Sequence, residues 1–302
     1  MSNDFPPGPS DSRDRPSFSS ADGGRPHDKR HGTYRSPAKP RGNDNHSFRK
    51  RAPESASLII GWHPVLEALD AGKELQRVLI QRDEKSERTG ALLQQLRDLD
   101  IPVQRVPREK LDRITQKNHQ GLVAFLSPIV FQPLEELISR AYEAGESPLF
   151  VAVDGVTDVR NLGAIARSAE CFGATALIIP AAGVAPIQED AIKSSSGALL
   201  RLPVSRAAHL PTALQTLMAN GIRLVALSEK AAEPIHEAEL PLPMCLVLGD
   251  EEQGISSEVF HKCEMQVQLP MVGKTGSLNV SVAAGIALSH IALWKLRQEA
   301  GN

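Results

Sequence analysis

The sequence predicts an α/β protein: a small α/β domain, then a larger parallel-sheet α/β domain, preceded by a disordered tail. Three observations carry this. From Leu149 onward, near-continuous apolar runs such as "LFVAV" (149–153) and "ALIIP" (176–180) alternate with segments of helical periodicity. That is the pattern of a parallel sheet covered by helices on both faces. Before it, residues 56–128 mix short strands and helices in a unit of about 70 residues, ample for a recognition module. The first 55 residues hold almost no aliphatic side chains and are rich in Pro, Gly, Ser, Asp and Arg.

A tail of that composition (1–55) buries too little apolar surface to offset its ordering entropy, so it is expected to be disordered. Residues 1–52 carry eleven Lys and Arg against six Asp, a net +5, while the whole chain is -2. The remainder is therefore mildly acidic. A basic arm on an acidic body points to an anionic partner, and nucleic acid is the usual one. The tail serves either to solubilise the chain or to tether RNA electrostatically.

Within 56–128, "HPVLEALDAG" (63–72) has helical spacing and stops at Gly72, a C-terminal signal. Strands follow at 75–80, 102–106 and 121–126, with a helix at 89–100. Residues 129–148 read as a linker around a short helix (134–143). The domain at 149–299 has strands at 149–153, 176–180, 199–204, 222–227, 244–249 and 265–270. Its helices fit at 161–172, 188–197, 208–220, 255–263 and 278–298. In open sheets of this type ligands bind beyond the carboxyl ends of the strands, so site residues belong in the loops that follow them.

Cys171, Cys245 and Cys263 show no metal-ligand spacing and read as reduced, buried thiols. No apolar run reaches membrane-spanning length. The expectation is a soluble, cytoplasmic protein with neither metal nor membrane partner.

Three loops after strands concentrate polar and small residues. In "DGVTDVRNLGAIARSAECFG" (154–173), Asn161 is placed to cap a helix and Arg167 lies nearly two turns on. In "LVLGDEEQGIS" (246–256), Gly249 ends a buried strand, Glu251 and Glu252 follow, and Gly254 precedes a helix. In "LPMVGKTGSLNVSVAAG" (269–285), Ser277 and Asn279 suit a helix start, and small residues then crowd the helix. The "GKT" in this third loop is not a nucleotide-triphosphate loop, because Gln268 stands where that motif needs its first glycine. No G-x-G occurs in the chain, so the dinucleotide fingerprint is missing too. Pattern alone leads to an α/β enzyme or binder with a polar cleft.

The trio N-x-G-x-x-x-R-S (161–168), L-G-x-E-x-x-G (248–254) and P-M-x-G-x-x-x-S-L-N-V-S-V-A (270–283) closely resembles the SpoU (TrmH) family of RNA ribose 2'-O-methyltransferases in the SPOUT superfamily. "GWHPVLEAL" and "NHQGLVA" resemble that family's N-terminal RNA-binding domain, which is similar to a small ribosomal protein. The likeness spans about 57–298. It implies a C-terminal trefoil-knot domain, an exception to the general absence of knots, and a homodimer. It implies S-adenosylmethionine as methyl donor, held largely by main chain at Gly249, Leu269 and Leu278. It also implies Arg167 as the catalytic residue, with Asn161, Glu251, Ser277 and Asn279 around it. Glu252 departs from the family pattern, which usually has glycine there. The subgroup with this extra domain resembles the enzyme that methylates a guanosine in 23S ribosomal RNA. The alternatives are a tRNA ribose 2'-O-methyltransferase and a non-catalytic RNA-binding assembly factor.

Overall fold

A computed structural model describes residues 58–240 and 242–300 of the chain. The expected basic tail lies outside them.

The first domain is a four-stranded sheet in the order β1-β4-β2-β3, from β1 (Leu58–Ile60), β2 (Leu75–Gln81), β3 (Val103–Val106) and β4 (Leu122–Leu126). Strand β4 pairs antiparallel with β1 and β2, and β2 pairs parallel with β3. Alternation along β2 fills two layers, because successive side chains point to opposite faces. Val78 and Ile80 pack with Trp62, Val65 and Leu69 of α1 (Trp62–Asp70) and with Leu92 and Leu96 of α2 (Glu87–Asp98). Leu79 points the other way, to Leu111 of α3 (Arg108–Ile114). Strand β1 and helix α3 escape a reading by pattern. The first is three residues long, and the second has one buried side chain in a charged run.

The second domain is a seven-stranded sheet in the order β7-β6-β5-β10-β8-β11-β9, with every pairing parallel. The strands are β5 (Leu149–Val153), β6 (Ala176–Pro180), β7 (Val204–Ala207), β8 (Arg223–Leu227), β9 (Glu233–Pro234), β10 (Met244–Leu248) and β11 (Met265–Gln268). Val151, Leu177, Val225 and Leu246 face α5 (Val159–Cys171), α6 (Glu189–Ser194) and α9 (Val280–Ala300). Their neighbours Phe150, Ile178, Leu224 and Cys245 face α4 (Leu134–Glu143), α7 (Leu210–Ala219) and α8 (Ser257–Phe260). Both faces are thus buried, which is why these strands read as unbroken apolar runs. Helix α4, between the two domains in sequence, lays Leu134, Leu137 and Ile138 on this second sheet.

The structure corrects three expectations. The strand placed at 199–204 is a 3₁₀ turn at Ala198–Leu200, and β7 begins at Val204. Ser196 and Gly197 adopt φ of 52° and 80°, a left-handed pair that ends α6 and turns the chain before an extended run can start. Helix 255–263 shortens to the four residues of α8. Cys171 is exposed, whereas Cys245 and Cys263 are buried as expected.

Candidate active site

Three loops at the carboxyl edge of the sheet converge. The loop after β5 leads into α5, whose N-cap is Asp158, not Asn161. The Asp158 carboxylate accepts from the backbone N–H of Arg160 (2.7 Å) and of Asn161 (3.2 Å). The Arg160 guanidinium and these two amides hold its carboxyl below the usual carboxylate range. Because Asp158 takes the capping role, the Asn161 side chain is released from it. Its Nδ2 donates instead to Glu251 Oε1 at 2.7 Å.

Glu251 sits in the loop after β10, a tight turn built on Asp250. The Asp250 side chain accepts from the N–H groups of Glu252 (2.7 Å) and Gln253 (3.0 Å). Backbone bonds run both ways between Asp250 and Gly254. The turn folds so tightly over Gly249 that a Cβ there would lie 2.2 Å from the backbone of Gly254 and Ile255. Only glycine fits that crossing. Asp154, after β5, accepts from Ser256 N–H at 2.8 Å and ties the two loops together.

The third loop follows β11 and enters α9. Asn279 Oδ1 accepts from the N–H of Ser281 (3.0 Å) and Val282 (3.4 Å), an N-cap. Asn279 Nδ2 donates to Asn161 Oδ1 at 3.1 Å and to Glu251 Oε1. Asn161, in the first turn of α5, and Glu251 and Asn279, in two loops, therefore form one closed cluster.

Beside it lies a pocket lined by Gly249, Glu251, Leu269, Ser277 and Leu278, with Ser228 and Glu229 after β8 on its far side. The structure thus gathers seven of the eight site residues expected from sequence around one pocket and its rim. Arg167 is the eighth. It is exposed on α5 and neither lines the pocket nor joins the cluster. Two other arginines at this helix are neutralised, Arg160 by Asp158 (3.1 Å) and Arg201 by Glu170 (2.8 Å). Among the described residues Arg167 has no ion pair. The pattern missed Asp250 and Ser228. The D-x-x-x-G turn spacing signals the first, and nothing in the sequence signals the second.

The SpoU rRNA Methylase family model matches residues 148–289, and the model for RNA 2'-O ribose methyltransferase substrate binding matches 58–131. The Bacillus subtilis protein YacO, named for the TrmH family of tRNA/rRNA methyltransferases, is 32% identical over 77% of this chain and 94% of its own length. A Synechocystis protein, slr0955, named an uncharacterized tRNA/rRNA methyltransferase, is 36% identical over 80% of this chain. The match spans 64% of slr0955, a little under two thirds. The fold is also that of the SpoU methyltransferase AviRb from Streptomyces viridochromogenes, with a TM-score of 0.52 at 24% identity over 80% of this chain and 90% of that one. With both domains matched in order, the chain belongs to the SpoU/TrmH family of RNA 2'-O ribose methyltransferases.

Proposed function

We propose that this chain methylates the ribose 2'-hydroxyl of a guanosine in 23S ribosomal RNA, with S-adenosylmethionine as donor. The closed Asn161–Glu251–Asn279 cluster on the rim of the pocket carries the reading. The pocket suits the donor. Leu248, Ile255, Leu269 and Leu278 supply apolar walls for an adenine, and Gly249 brings main chain to the lining. Among the described residues, four carboxylates (Glu229, Asp250, Glu251 and Glu252) and no lysine or arginine line it, which favours a cationic sulfonium. A structure of AviRb is a complex with AdoMet.

When bound, the donor supplies an activated methyl group, so the protein's tasks are orientation and handling of one proton. The two asparagine amides hold Glu251 Oε1, which leaves Oε2 to accept the 2'-hydroxyl proton. Arg167 stays protonated and, lacking a carboxylate partner, is available to a phosphate of the reacting nucleotide. Ser277 and Leu278 close the pocket from the α9 side.

Two opposed apolar faces on α9 support a homodimer. Ala284, Ala287, Leu288 and Ile291 are buried on the sheet, while Val282, Ile286, Leu293 and Leu296 are 45–60% exposed. At 100° per residue the second set forms one stripe opposite the first. The matched substrate-binding domain favours RNA as the substrate. Because relatives are named for both tRNA and rRNA, mapping 2'-O-methyl sites in total RNA with and without the gene is the test. Loss of a 23S guanosine mark is expected. Loss of a tRNA mark alone, or no change, would overturn the assignment.

A further inference from the structure

A second cavity lies at the seam between the two domains. Gln76, Arg77 and Gln104 of the small sheet form one wall, and Phe131, Arg206 and the 181–187 loop form the other. Among the described residues, no aspartate or glutamate lines it. Arg206 is 9% exposed and Gln76 is 8% exposed. Arg206 donates to the carbonyls of Leu75 (2.9 Å) and Leu99 (3.3 Å), and its guanidinium stacks 4.2 Å from the Phe131 ring centre. Arg77 stacks in the same way on Phe125, at 4.4 Å.

Among the described residues, three buried side-chain polar atoms have no hydrogen-bond partner: Gln76 Oε1, Arg77 Nε and Arg206 Nε. All three belong to residues lining this one cavity. Buried polar groups are almost always paired, so three open positions among the described residues at one place leave bonding capacity for water or for a ligand. Two guanidiniums call for an anion. The 181–187 loop adds an apolar wall of three alanines, Val184, Pro186 and Ile187. The acids that face Arg206, Glu74 and Asp100, line a separate adjoining cavity.

The position along the sheet narrows the ligand. The carboxyl edge runs β7, β6, β5, β10. The 181–187 loop leaves β6, Arg206 stands near the end of β7, Asn161 follows β5, and Glu251 follows β10. At about 5 Å between neighbouring strands, the cavity is a strand or two from the methylation cluster.

The geometry points to this cavity as an RNA subsite: it takes a single-stranded nucleotide flanking the methylated one, its phosphate held by Arg77 and Arg206 and its base laid on the 181–187 wall. Gln76 and Gln104 supply amides for the base edge, the way splayed RNA bases are read. The inference rests on the RNA-methyltransferase reading above.

The test uses the full chain and a mixed-sequence, single-stranded fluorescent oligoribonucleotide, with anisotropy followed across a salt series. Arg77→Gln removes one cation, and Ala182→Glu places a carboxylate at an exposed position of the wall without disturbing the core. Both should weaken oligoribonucleotide binding several-fold. Arg77→Gln should also reduce the slope of log K against log salt by about one, while calorimetric donor affinity stays at the wild-type value. Wild-type affinity and slope in both variants would overturn the proposal and leave the cavity to water. If Arg77→Gln also loses donor affinity, its fold is damaged and Ala182→Glu decides alone. A wild-type chain that binds the oligoribonucleotide yet transfers no methyl group to any RNA refutes the enzymatic reading instead, and the variant comparison still stands.

Discussion

Asn161 and Glu251, 90 residues apart in the chain, are joined by a 2.7 Å hydrogen bond. The topology brings them together. Strands β5 and β10 are parallel neighbours, with Val153 opposite Leu248, so the loops leaving their carboxyl ends emerge side by side. Asn279 then reaches the same carboxylate oxygen from a third loop.

The first prediction isolates that carboxylate. Glu251→Gln keeps an oxygen for the two asparagine amides but replaces the open acceptor with a donor. Methyl transfer should fall by about a hundredfold or more, the scale of a lost general base. Because Glu251 is exposed, stability should change by less than about 0.5 kcal/mol. Single-turnover methylation beside thermal unfolding checks both. Asn161→Ala is the cleaner companion, since Asn279→Ala would also cost about 1 kcal/mol of helix capping.

A second prediction concerns the crossing at Gly249. An added Cβ would meet backbone atoms at 2.2 Å, which cannot rotate away as a side chain could. Gly249→Ala should destabilise the domain by roughly 1–3 kcal/mol and abolish donor binding. Gly273→Ala and Gly276→Ala, where a Cβ meets nothing within 4 Å, are controls that should bind donor normally. Equal donor affinity in Gly249→Ala and the controls would show that the crossing does not shape the pocket.

Much of this was legible in the sequence, and the reasons are physical. Strands buried on both faces announce themselves as unbroken apolar runs, so β5, β6, β8 and β10 could be read within a residue or so. The three motif loops carried Asn161, Glu251 and Asn279 because small and polar residues directly after such strands have few other uses. What escaped was set by tertiary structure. The capping of α5 by Asp158 rather than Asn161 depends on where the helix starts, two residues earlier than the periodicity suggested. Strand β7 was displaced by a left-handed pair, Ser196 and Gly197, and Ser196 carries no signature of that conformation. Arg206 and Gln76 look like ordinary strand residues until each is covered at the seam between the domains.

The third prediction concerns the thiols. Only Cys171 is exposed among the three cysteines, so a thiol reagent should modify one residue in the native protein and three after denaturation. Burial pushes the Cys263 thiol up to about 12 and raises that of Cys245 as well. A thiol whose pKa is higher folded than unfolded holds its proton more tightly in the native state. Its contribution to stability is complete below the unfolded value of about 8.5 and is lost as pH rises towards the folded value. Denaturant unfolding should therefore show stability falling between about pH 9 and pH 12, less steeply in Cys263→Ala. Parallel profiles would sink the assignment.

The fourth concerns assembly. Leu293 is half exposed in the outer stripe of α9, so Leu293→Glu leaves the inner face on the sheet intact. Light scattering should give a dimer for the wild-type chain and a monomer for the variant, with unchanged far-ultraviolet circular dichroism. A wild-type monomer at all working concentrations would refute the stripe as an interface.

The last prediction separates Arg167 from the donor pocket. Arg167 lines no part of that pocket and has no ion pair among the described residues, so its charge is not committed to holding the fold. Arg167→Ala should leave donor affinity near the wild-type value and damage methyl transfer strongly. Arg167→Lys should also be poor, because lysine keeps the charge but loses the planar fork that grips a phosphate through two parallel bonds. Leu278→Asp is the contrasting change. It sets a carboxylate against the apolar wall of the pocket and should weaken donor binding first. Calorimetric titration of the donor, run beside single-turnover methylation on the same preparations, gives the two readouts. Near-normal turnover in Arg167→Ala would remove the arginine from the mechanism and leave the whole task to Asn161, Glu251 and Asn279.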